Sequence, residues 1–355
     1  MKLFFSRSNF ITLTNVASIY RTEGGPKQAS LYVDLGTKHE SFATSGTLHS
    51  WALMSEDQNT AINVSHDFVK ISPKGSLENP VDWVKQVLDK LTNPPSLRGA
   101  VNLRAQIPRD LVMMTAFGLE GYGMPITGLD KNFDAQGRFT HWREAALMLQ
   151  AAVGADRMLL ILNSFEHQEA SQFKEAFEGL NPADPLFYHQ SSIQYKGGNC
   201  RIITEDKHKR IEHCFQAEDS PCLRIFPHLV SHRLETNFHR FTRVFREVSL
   251  AGLRVEGTSP ISGAVEREMK DSWSEFTEWV PGDVLEAAKE KAKEECELQM
   301  SNIDTKNDMI ASRFFKERNI NIDDYSTQIS QVTPDEMASW FKDAVRSRET
   351  FVRVD

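Results

Sequence analysis

An α+β fold made of two similar halves is what this sequence predicts, and three observations carry that reading. At 355 residues the chain exceeds one ordinary domain and fits two, each of about 150–200 residues. Each half opens on extended stretches and continues into amphipathic helices. The halves also close alike. Thr140, Trp142 and a helix running into a strand at 157–162 are echoed by Thr333, Trp340 and a helix running into a strand at 350–354, a weak internal repeat.

In chain order, residues 29–35 form a strand with Leu31 and Val33 on one face and Tyr32 on the other. Residues 42–54 are helical, with Leu48, Trp51 and Leu53 among the apolar positions. Residues 61–71 make a second strand region, closed off by Pro73 and Gly75. The next helix is marked at both ends: Asn79 caps it, Pro80 sits in its first turn, and Asn93-Pro-Pro95 stops it. Val84, Val87, Leu88 and Leu91 make its apolar face. A helix at 110–119 leads into Gly121-Tyr-Gly-Met-Pro-Ile-Thr-Gly128. Then come helix 140–153, a buried strand at 157–162, and helix 167–178 with Phe173, Ala176 and Phe177 facing inward. Asn181-Pro-Ala-Asp-Pro185 has the composition of a linker. The chain therefore divides into an N-terminal segment 1–22, a first domain 23–180, a linker 181–189 and a second domain 190–355.

The second half repeats the grammar. Extended stretches at 190–195 and 201–204 flank a Gly197-Gly198 turn, and 211–217 is a further strand. Helical segments follow, then a strand near 252–256. Helix 263–280 places Val265, Met269, Trp273, Phe276 and Val280 on one face. Helix 283–302 pairs Glu286 with Lys289 and Glu290 with Lys293, so it shows a broad face to water. Near the end, Thr333 stands at an N-cap, Pro334 at the first helical position and Glu336 at the third, a full capping box. That helix runs to about residue 345.

Composition narrows the function classes. A net charge of −8 argues against a general nucleic-acid binder. Basic residues do gather at 207–210, but Glu205, Asp206 and Glu212 flank them, the pattern of a solvated loop. The four cysteines, Cys200, Cys214, Cys222 and Cys296, form no Cys-x-x-Cys pair and read as reduced thiols outside the secretory route. The longest apolar stretches, such as 158–162, are too short to span a bilayer, so membrane association comes through partners. Residues 1–22 carry Lys2, Arg7, Arg21 and several hydroxyls with no acid before Glu23, the make-up of a mitochondrial transit segment. No Walker loop, Gly-x-Ser-x-Gly or dinucleotide-binding glycine pattern is present, and no ligand set suits haem or an iron–sulfur cluster.

Collinear motifs point further. Ala29-Ser-Leu-Tyr-Val-Asp-Leu-Gly36 with Glu40, Gly46-Thr-Leu-His49 and Gly123-Met-Pro-Ile-Thr-Gly128 lie in the first half, with a strand, turn and helix around His167. Tyr195-Lys-Gly-Gly198, Phe245-Arg-Glu-Val-Ser-Leu-Ala-Gly-Leu253, Ala287-Ala-Lys289 and Ile329-Ser-Gln-Val-Thr-Pro-Asp-Glu336 lie in the second. In this order the chain resembles the pitrilysin-type metallopeptidase family, in particular the mitochondrial processing peptidases and the core subunits of respiratory complex III. The resemblance implies two halves of LuxS/MPP-like metallohydrolase fold, each an antiparallel sheet backed by helices.

Active members of that family bind zinc through His-x-x-Glu-His. Two histidines four apart share a helix face and ligate the metal, while the glutamate polarises the attacking water. Here the window is His49-Ser-Trp-Ala52-Leu53. Ala52 takes the place of the general base and Leu53 that of the second ligand. Downstream, Asp110 approximates the position of the carboxylate that completes such a site, but Pro108 interrupts the helix expected there. The stretch from Met54 to Asn79 is also short for the family, as though a helix of the cleft wall were lost. The long glycine-rich loop of a processing peptidase's non-catalytic partner is missing as well. His228, His232 and Glu235 have a spacing that shares one helix face, yet Pro227 precedes them and a polar surface is the simpler reading.

No catalytic, cofactor-binding or metal residue is therefore expected, and no cofactor. The resemblance implies a non-catalytic scaffold on the matrix side of the mitochondrial inner membrane. Its partners would be a second processing-peptidase-like core subunit together with the cytochrome b, cytochrome c-type and iron–sulfur subunits of complex III. Two other settings fit the same residues: the partner subunit of a processing peptidase, and an accessory scaffold in another large mitochondrial respiratory assembly.

Overall fold

The computed structural model describes residues 10–12, 18–22, 25–94, 111–152, 154–177, 180–183, 193–204, 209–230, 238–317 and 325–355. The chain forms two compact units, Met1–Pro108 with Leu119–Ile193, and Arg109–Gly118 with Gln194–Asp355. Asp110, His232, Glu235 and most of the expected linker lie outside the described residues.

The first unit begins with strands β1 (Phe10–Thr12), β2 (Ser18–Thr22) and β3 (Gln28–Val33), then helix α1 (Thr47–Ser55). Strands β4 (Thr60–Val64) and β5 (Val69–Pro73) and helix α2 (Pro80–Thr92) follow. Next in the chain is α3 (Leu111–Phe117), which belongs to the second unit, and then α4 (Trp142–Ala152), β6 (Met158–Asn163) and α5 (His167–Gln172) complete the first. The sheet order is β1-β2-β6-β3-β5-β4. All six residues of β6 are buried, as befits a strand covered on both sides. The Asn79 side chain accepts the Asp82 N–H at 3.2 Å, and Trp83, Val84, Val87, Leu88 and Leu91 of α2 enter the core.

Residues 61–71 do not run on as one strand region. They fold back as the β4–β5 hairpin, with the Ser65 N–H donating to Phe68 O at 3.0 Å. His66 and Asp67 occupy the turn without a Gly or Pro to announce it. The expected helix 167–178 is likewise shorter, passing after α5 into a 3-10 turn at Phe173–Phe177.

The second unit contains β7 (Gly198–Ile202), β8 (Lys209–Ala217), α6 (Pro221–Val230), β9 (His239–Val244), β10 (Ser249–Gly257), α7 (Gly263–Ser274), α8 (Gly282–Ser301), α9 (Ile303–Glu317), α10 (Tyr325–Gln331), α11 (Pro334–Arg346) and β11 (Thr350–Val354). Its order, β7-β11-β8-β10-β9, repeats β2-β6-β3-β5-β4 strand for strand. The duplication read weakly from the sequence is thus a duplication of topology. Each sheet is antiparallel except for one pair, β2 with β6 and β7 with β11. These pairs are parallel because the closing strand returns to the first through helices, the connection that parallel neighbours need.

Where helical segments were expected after α6, β9 forms a hairpin with β10. Its run His-Arg-Phe-Thr-Arg-Val alternates arginine with aromatic and β-branched residues, so the strand signal is partly hidden by charge. Helix α3 is held by the Lys196 and Gly197 N–H groups, which donate to Ala116 O at 2.7 and 3.0 Å. Tyr195 supports it, sharing a 2.7 Å hydrogen bond with Thr350 Oγ1 and meeting Phe117 edge-on. Phe226, Trp273 and Phe341 centre the helix-side core, with Phe226 and Trp273 stacked at 4.9 Å.

Candidate functional site

The candidate site is the loop at 36–46 and the helix α1 that it launches, all within the first unit. Helix α1 has glycine at its N-cap, Gly46, and so no side chain of its own to close its first turn. Glu40 supplies the cap from upstream. Its two carboxylate oxygens accept the Gly46 and Leu48 N–H groups, each at 2.8 Å. Glu40 as a whole is only 4% exposed. Burial pushes its pKa up from 4.5 to about 8, against the amide donors of Leu48, Gly46 and Thr47, which pull it down.

Two glycines fix where the helix starts. Gly46 has φ +97° and Gly128 φ +89°, and a Cβ on Gly128 would lie 2.5 Å from Gly46 Cα. The run ending in Gly128 is thereby a backbone wedge against the start of α1. Asn132, fully buried, donates from its Nδ2 to Phe42 O at 3.1 Å and Ser45 O at 2.9 Å.

Under the loop lies a polar cluster. Lys38 Nζ and Asp67 Oδ1 form an ion pair of 2.9 Å, with their side chains 2% and 11% exposed. The Tyr122 hydroxyl donates to the same Asp67 oxygen at 2.8 Å. Thr37 Oγ1 meets His66 Nδ1 at 2.9 Å, and the Gly36 N–H donates to His39 Nδ1 at 3.1 Å. Burial and the neighbouring Lys38 lower the His39 pKa to about 4.

On α1 itself, His49 is half-buried, its pKa lowered by burial. Among the described residues it has no hydrogen-bond partner. Ala52 is packed into the core cluster, while Leu53 is 46% exposed. Neither side chain has a donor atom for a metal. The zinc that the fold family implies therefore does not fit this helix, because His49 is the one ligand that the five-residue window offers. Among the described residues no three His, Cys, Asp or Glu side chains gather to hold a metal ion. His228, from the other spacing noted, sits on α6 with its Nε2 2.9 Å from Glu295 Oε2 of α8.

Glu40 and the Gly46 and Gly128 motifs were visible in the sequence as pieces of a pattern, but their joint task was not. Asn132, and Lys38 with Asp67, carried no signal beyond charge and polarity between apolar strands.

Two units of one topology, each a mixed sheet backed by helices, with α1 placed after the second long strand of the first, define a protein of the two-half peptidase-type fold. The chain is similar in structure to a chain of complex III2 from Candida albicans with Inz-5 bound, at a TM-score of 0.80 and 12% identity, over 97% of this chain and 95% of that one. It is similar also to a protease from Helicobacter pylori, at a TM-score of 0.73 and 12% identity, over 98% of each chain. No protein-family model matches the sequence, and no curated protein is similar to it.

Proposed function

We propose that this chain is a non-catalytic core subunit of mitochondrial complex III, a scaffold for assembly on the matrix side of the inner membrane. The observation that carries the proposal is the end-to-end likeness to a chain of complex III2, combined with an α1 that has kept its supports and lost its donors. Glu40, Gly46 and Gly128 still build the helix start, while Ala52 and Leu53 occupy the positions that zinc hydrolysis most needs. Among the described residues no helix is long and apolar enough to cross a membrane, which suits a peripheral subunit held by its partners. Those partners would be a second processing-peptidase-like subunit and the cytochrome and iron–sulfur subunits. The domain division at 181–189 belongs to the same proposal.

A second reading, the non-catalytic partner of a processing peptidase, is favoured by the likeness to the H. pylori protease. Blue-native electrophoresis followed by mass spectrometry separates the two. Co-migration with cytochrome b supports the first, and migration with a catalytic peptidase chain apart from cytochrome b supports the second. For catalytic silence, the purified chain should leave a presequence peptide uncut with or without chelator. Chelator-sensitive cleavage that disappears in His49→Ala would overturn it.

A further inference from the structure

We draw no further inference here: the strongest candidate, the cavity of about 300 Å³ in the first unit between the β5–α2 loop and α5, carries nothing, because the Lys27 and Glu169 side chains that line it already pair with each other at 2.5 Å and what remains is the N-terminus of α2, capped by Asn79, with no second feature that points to a ligand.

Discussion

The Glu40 carboxylate receives the N–H of Leu48 at 2.8 Å, closing the amino end of the helix that carries His49 from eight residues upstream. Because the N-cap is Gly46, no residue of the helix boundary can do this. Burial holds the group up to about 8, well above its ordinary 4.5. The folded protein therefore binds the proton more tightly than the unfolded chain. The stability this confers is present below about pH 4.5 and is lost as pH rises through about 8. Urea midpoints of the unaltered chain should fall against those of Glu40→Gln across that window. Parallel profiles would contradict the assignment.

His39 gives the opposite slope. Its pKa is lowered to about 4, so its contribution is present above its unfolded value of 6.5 and is lost as pH falls toward 4. Its imidazole should titrate near 4 by NMR. A midpoint near 6.5 would mean that the loop is open to water.

Gly128→Ala should cost more than about 2 kcal/mol in chemical denaturation, combining backbone strain with a clash. The new Cβ would lie 2.5 Å from Gly46 Cα, and both atoms belong to backbone that other contacts hold. A loss below 0.5 kcal/mol, roughly the effect of a bland surface change, would show that the wedge yields.

Lys38 and Asp67 should prove more costly to separate than to remove together. Lys38→Met alone or Asp67→Leu alone leaves a charge stranded beneath the loop, at about 3–5 kcal/mol. The double variant should be clearly less destabilised than the sum of the two, and a double-mutant cycle measures the difference. Additive losses would mean that the 2.9 Å pair carries no coupling.

At the far end, Thr333→Ala should cost about 1 kcal/mol, the usual worth of an N-cap. Thr333 Oγ1 accepts the Glu336 N–H at 3.3 Å, and Glu336 Oε2 accepts the Thr333 N–H at 2.7 Å. Thermal unfolding of the full chain reads the change, and no change would mean that the box is ornamental.

What the amino-acid order determined by itself was short in range. The Asn79 and Thr333 caps, the apolar face of α2, and the ion pairs of Lys289 with Glu286 and Lys293 with Glu290 all lie within a few residues of their cause. The two-half α+β class followed from repetition of those local patterns, and the fold comparison bears it out. Only the tertiary structure decided matters that join distant residues. It split 61–71 into a hairpin, made β9 a strand, and assigned α3 to the second unit. It also brought Lys38 to Asp67 and Gly46 to Gly128. Periodicity and capping are set by neighbours along the chain, whereas sheet order and buried charge pairs are set by which surfaces meet. For that reason the lack of metal-donor side chains at Ala52 and Leu53, beside His49, was legible in the sequence. The upstream carboxylate that closes the helix was not.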